Sequence, residues 1–154
     1  MNRNKQQSNL YKSFCEADGS QHIASEYAIE KINRLVEKFQ IKNILEVGLG
    51  IGSISGIVLA LDRNKPELDY TGTEANEFCL NALPENLKED YSRLKIYSNL
   101  TEISSDKKFD FIIIDGKDEN LQAIKGLISE NGILVIEGDR IPQQESLQEL
   151  FPKH

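Results

Sequence analysis

The chain has 154 residues, 39% hydrophobic and 28% charged, the size and composition of one globular domain with a real core. Its 25 acidic against 18 basic residues leave a net charge of −7, and no apolar run is long enough to cross a bilayer, so neither nucleic acid nor membrane is expected as a partner. Cys15 and Cys79 follow no metal spacing and Met1–Gln7 leads into no apolar signal core, which points to a cytoplasmic protein with ordinary thiols.

Residues 1–21 are polar, with Tyr11 and Phe14 as their large anchors, and are expected to form a mobile or loosely docked N-terminal arm ahead of a single domain spanning 22–154. From Ser25 the period turns helical: Ile29, Ile32, Leu35, Val36 and Phe39 recur at three- and four-residue steps, with Ser25 as N-cap and Glu26 in the first turn. Ile44–Val47 reads as a buried strand, Ser53–Leu61 as a helix, Leu68–Thr73 as a strand, and Asn76–Leu83 as a short helix stopped by Pro84. Leu94–Tyr97 is a further strand. Phe109–Ile114, apolar except for Asp110, is the most strand-like run; a helix over Leu121–Ile128, a strand over Ile133–Ile136 and a helix over Gln143–Leu150 complete the pattern. Apolar strands separated by amphipathic helices predict an α/β fold, a parallel sheet with helices on both faces.

The most informative segment is Asn43–Ser53. An apolar run ends at Glu46, then Gly48, Gly50 and Gly52 fall at alternate positions before a helix, as where main chain turns sharply against a ligand. The spacing is G-x-G-x-G, with Ser53 where the last glycine of the dinucleotide fingerprint G-x-G-x-x-G would fall, which disfavours a nicotinamide or flavin site. In such a sheet ligands bind beyond the carboxyl ends of the strands, so each strand end is tested for a useful polar group. The second strand ends at Glu74, about twenty residues after the turn, where a carboxylate can accept both ribose hydroxyls. The third ends at Asn99-Leu100, an amide and an apolar residue suited to an adenine edge and face. The fourth ends at Asp115-Gly116 and the fifth at Glu137-Gly138-Asp139.

On these residues the chain resembles the class I S-adenosylmethionine-dependent methyltransferases, especially the small O-methyltransferase-like group. Ile44–Ser53 is similar to their first motif, and Phe109–Gly116 and Asn131–Ile136 to their fourth and fifth strands. The resemblance implies a Rossmann-like doubly wound parallel sheet of order 3-2-1-4-5, with helices on both faces, and S-adenosyl-L-methionine as cofactor. Gly48, Gly50, Gly52 and Ser53 would then form its methionine-side turn, Glu46 would hold the ammonium end and Glu74 the ribose. Ala75 and Leu100 would sandwich the adenine, Asn99 would face its edge, and Asp115 would sit near the transferred methyl. Two departures stand out. Lys117-Asp118 follow Asp115-Gly116 where many relatives carry an acidic residue and a histidine, and the sequence ends at His154, so the usual sixth and seventh strands are expected to be lacking. The fifth strand is then an expected edge, open to a homodimer partner.

Methyl transfer to a small-molecule acceptor such as a hydroxyl is the expected activity. The acceptor's proton needs a carboxylate, with Asp115 as the catalytic candidate and Asp118 or Asp139 behind it, although Asp115 can equally cap the following helix. No metal set is assigned to Glu137 and Asp139, and His22 and His154 read as solvated. The same motifs also suit a nucleoside-binding module without catalysis, or a partner subunit.

Overall fold

The computed structural model describes residues 2–65, 67–137 and 141–151; Gly138, Asp139 and His154 lie outside them. Five parallel strands, β1 (Asn43–Val47), β2 (Asp69–Thr73), β3 (Leu94–Tyr97), β4 (Phe109–Ile114) and β5 (Ile128–Ile136), form one sheet of order β3-β2-β1-β4-β5. This is the expected doubly wound order. The strands are apolar on both sides because both faces are covered. One layer holds Ile44, Tyr70, Phe111 and Ile113 under the helices α1 (Arg3–Glu16), α2 (Glu26–Lys38), α3 (Ser53–Leu61) and α4 (Glu77–Leu87). The other holds Leu45, Val47, Ile112 and Ile114 with Ile124 and Leu127 of the short α5 (Ile124–Leu127) and Leu147 of α6 (Ile141–Leu150).

Local signals explain most boundaries. Ser25 caps α2, its hydroxyl accepting from the Ala28 amide at 3.1 Å, and Asn76 caps α4 through the Cys79 amide at 3.1 Å. Three boundaries depart from the sequence pattern. Pro84 does not stop α4, which runs on to Leu87, because Leu83 and Leu87 are buried in the first layer and their packing outweighs the lost backbone bond. The expected helix over Leu121–Ile128 is a 3-10 turn at Leu121–Ala123 followed by the single turn of α5, and Ile128 already belongs to β5. Between the pairs Phe109↔Ile128 and Phe111↔Ile133, β4 advances two residues while β5 advances five, so the extra residues bulge and only Ile133–Ile136 runs in regular register. β5 pairs with β4 alone among the described residues.

The amino-terminal segment, expected as a mobile or loosely docked arm, instead carries α1, packed on the body. Phe14 is buried and sits so close to Gly56 of α3 that a Cβ there would fall 2.7 Å from its Cζ. Buried Gln7 accepts from the Asn33 amide at 3.1 Å, Arg3 donates to the Asp62 carboxylate at 3.2 Å, and the Tyr11 hydroxyl donates to the Ala24 carbonyl at 3.1 Å. The docking is therefore largely polar, and polarity hid it from the periodicity. Phe14→Ala should lower the unfolding free energy by about 3–5 kcal/mol in urea titration; a change within about 0.5 kcal/mol would mean that α1 does not hold to α3.

Candidate functional site

The glycine turn leaves β1 with Gly48, Gly50 and Gly52 all at positive φ, at +88°, +57° and +94°. Their surroundings separate three roles. A Cβ on Gly48 would lie 2.5 Å from the Gly116 Cα, and one on Gly116 would lie 2.7 Å from the Gly48 Cα, so these two glycines let the ends of β1 and β4 touch. A Cβ on Gly52 would meet Leu87 at 2.5 Å, so that glycine serves the packing of α4. Gly50 alone of the three has nothing within 4 Å of where its Cβ would be. It is the position where bare main chain faces an open crevice.

Directly beside that turn stands Glu74. Its Oε1 accepts from the Gly50 amide at 2.7 Å, while its Oε2 accepts from the amides of Ala75 at 3.2 Å and Asn76 at 3.0 Å. The turn and the second strand end, paired in the sequence only by spacing, are thus joined directly. Thr73 assists, its hydroxyl accepting from the Gly48 amide at 3.2 Å.

Beneath the rim, Glu46 is 0% exposed. The Tyr70 hydroxyl donates to its Oε1 at 2.6 Å, and its Oε2 has no hydrogen-bond partner among the described residues. Burial pushes the Glu46 carboxyl well above its ordinary value; the charges of Asp115 and Glu74 push the same way, against the Tyr70 hydrogen bond. Tyr70 is itself raised, by burial and by Glu46.

Two adjoining cavities open on this rim. One of about 300 Å³ is bordered by Gly48, Thr73, Glu74, Ala75, Ser98 and Lys117. The other, about 620 Å³, is bordered by Gly19, Leu49, Ile51, Ser53, Phe78 and Cys79. His22, Gly50, Asn76 and Asp115 line both and mark their junction.

Of the site residues expected from sequence, Gly48, Gly50, Ser53, Glu74, Ala75 and Asp115 face this crevice, and Glu46 lies behind it. Leu100 does not reach it: the side chain is 1% exposed and packs in the second core layer. Asn99 turns its side chain onto the following 3-10 turn, accepting from the Thr101 amide at 2.9 Å, and its neighbour Ser98 takes the place at the cavity. Asp118 is occupied structurally, accepting from the Leu100 amide at 3.0 Å and the Asn120 amide at 2.7 Å. Asp139 lies outside the described residues, among which no three His, Cys, Asp or Glu side chains converge as a metal-ligand set.

His22 and Phe78 also border the crevice, and no sequence motif marks either. Helices in this fold run back against the strands, so their N-termini return to the rim where the strands end. Residues just before α2 and at the start of α4 must therefore border the crevice. Phe78 is 52% exposed, and its ring lies within 2.7 Å of where a Cβ on Gly19 would be.

The family model of the methyltransferase small domain matches residues 19–141. The chain belongs to the methyltransferase small domain family. No curated protein sequence matches it. Among solved structures, this methyltransferase domain is similar in fold to the O-methyltransferase from Bacillus cereus in complex with SAH, with a TM-score of 0.72 and 16% identity over 96% of this chain and 77% of that one. The precorrin-6y C5,15-methyltransferase from Geobacter metallireducens gives a TM-score of 0.67 and 17% identity over 90% of this chain and 76% of that one. The SAH-bound methyltransferase PaMTH1 of Podospora anserina gives 0.66 and 18% over 85% of this chain, which spans 61% of that protein's length. Among the described residues no helix is long and apolar enough to cross a membrane.

The buried acid makes this domain's stability pH-dependent. Unfolded, Glu46 titrates in the ordinary carboxylate range; folded, it titrates higher, so the folded chain holds the extra proton between the two and stability falls as pH rises through that interval. Glu46→Gln has no such proton to lose. Thermal melts from about pH 5 to about pH 8 should show the variant gaining on the wild type as pH rises; a constant difference would contradict the raised titration.

Proposed function

We propose that the crevice binds S-adenosyl-L-methionine and that the domain transfers its methyl group to a small-molecule acceptor, a hydroxyl being the type best served by the groups present. The supporting observation is the Glu74–Gly50 contact, which joins a carboxylate and a bare main-chain turn side by side on the wall of the smaller cavity. A side chain at position 50 would fill the very space that a nucleoside needs.

In this reading the smaller cavity takes the adenosine. Glu74 accepts the ribose hydroxyls, Ala75 packs on the base, and Ser98 offers a hydroxyl near its edge. The Gly50 main chain supports the methionine portion as it crosses the junction, with Ser53 at the start of α3 beyond it. When bound, the sulfonium supplies the methyl group as an electrophile. The larger cavity holds the acceptor, and its apolar wall of Leu49, Ile51 and Phe78 excludes water and fixes the line of attack. Asp115, bordering both cavities, receives the acceptor's proton on its carboxylate as the oxygen attacks.

Isothermal titration calorimetry of the full chain with S-adenosylmethionine and S-adenosylhomocysteine (SAH) tests the binding step. Both should bind, and Glu74→Ala should weaken binding by more than about tenfold, as expected for losing hydrogen bonds to a charged group worth about 1.5–3 kcal/mol. No heat from either ligand at about 1 mM would end the proposal.

A further inference from the structure

The glycine turn is held by two elements, the end of β2 and the helix α4. Glycine at positions 48, 50 and 52 leaves this stretch a wide choice of conformations, so its single arrangement needs restraints from elsewhere. The Gly52 amide closes on the Leu49 carbonyl at 3.1 Å, with Gly50 at the first central position of that turn, where a positive φ suits glycine. Glu74 takes the Gly50 amide. From α4, the Asn86 side-chain amide donates to the Ile51 carbonyl at 2.9 Å. Leu83, Asn86 and Leu87 fall at i, i+3 and i+4, on one face of the helix. Leu87 and Leu83 come within 2.5 and 2.9 Å of where a Cβ on Gly52 would be, so one face of α4 both packs on the turn and hydrogen-bonds to it. The same helix starts at Glu74. Asn76, its N-cap, gives its backbone amide to the Glu74 carboxylate at 3.0 Å, roughly 15 Å of helix before Asn86. α4 is therefore a strut with one end on Glu74 and the other on the turn.

We propose that Asn86 is a positioning residue for the methionine end of the ligand: through the Ile51 carbonyl it holds the 49–52 turn in the conformation that leaves the Gly50 main chain bare toward the cavities. The inference rests on the function proposed above. It goes further in tying the affinity for one half of the ligand to a side chain outside the two cavities.

The two halves of the ligand separate because their anchors differ. Glu74 keeps the Ala75 and Asn76 amides whatever happens at residue 51, so the nucleoside half retains its carboxylate. The peptide between Ile51 and Gly52 has Asn86 as its donor, and Gly52 can take other φ values once that donor is gone. A turned peptide there carries Gly50 with it. The contact needs a neutral amide. Aspartate has the same size but no proton to give at ordinary pH, and would set a carboxylate against the carbonyl. Glutamine can still donate. Asn86 borders a third cavity of about 480 Å³, which shares no lining residue with the other two and leaves room for one more methylene.

The test is calorimetry of the full chain with SAH and with methylthioadenosine, which keeps the nucleoside and the sulfur but lacks the amino-acid end. Asn86→Ala and Asn86→Asp should weaken SAH by about five- to tenfold, as for one lost hydrogen bond, and leave methylthioadenosine within about twofold. Asn86→Gln should restore SAH to within about twofold of the wild type. Equal losses for both ligands, which a merely structural Asn86 would give, no loss for SAH, or a glutamine variant as weak as the alanine one would each overturn the assignment. The wild type supplies a reading that needs no variant to fold: the Asn86 side-chain amide signals in the NMR spectrum should shift with SAH and stay in place with methylthioadenosine. Signals indifferent to SAH, or moved equally by both ligands, would overturn it as well. All these outcomes leave the proposed function standing, whereas no SAH binding to the wild type at about 1 mM would remove both.

Discussion

The register of three strands fixes everything that happens at the rim. Val47 pairs with Thr73 on one side and with Ile114 on the other, so β1, β2 and β4 end at one level and Gly48, Glu74 and Asp115 leave the sheet together. The ladder then continues one residue further. The Gly48 amide donates to the Thr73 carbonyl at 3.2 Å, the Asp115 amide to the Val47 carbonyl at 2.9 Å, the Glu74 amide to the Tyr97 carbonyl at 2.9 Å, and the Glu137 amide to the Ile114 carbonyl at 2.9 Å. Each rim residue is therefore held by the last carbonyl of its neighbouring strand. A one-residue slip would turn every side chain to the opposite face and scatter the constellation.

That alignment has an electrostatic consequence. Parallel strands that stop together bring Asp115 and Glu74 close enough to buried Glu46 that their charges add to burial in raising its carboxyl. The domain answers in different ways at each position. Glu74 receives three backbone amides, which suit a carboxylate. Glu46 is fully buried with a phenol donor and a carboxyl that holds its proton more tightly than usual.

What could be read from the sequence was set by what periodicity and spacing encode. The strands, the glycine turn and the partnership of that turn with Glu74 follow from local patterns, the strand order from the family resemblance, and the structure brings those residues together. Roles that depend on which way a strand end leaves the sheet were not legible. Leu100 follows an apolar rule and is drawn into the core, while Asp118 is taken up by two backbone amides that no spacing announces. α1 escaped notice because Gln7, Arg3 and Tyr11 dock it through polar contacts, with Phe14 as its one buried apolar anchor. His22 has no motif at all, and only the return of α2 to the rim places it at the junction of the cavities.

The central claim is that Glu74 and the main chain at Gly50, joined by their 2.7 Å hydrogen bond, together form the wall on which a nucleoside binds. A crystal structure of the chain grown with SAH tests it most directly. The ribose hydroxyls should lie on the Glu74 carboxylate, with the methionine portion following the main chain at Gly50. A nucleoside bound elsewhere, or a Glu74 carboxylate making no contact with the sugar, would contradict it.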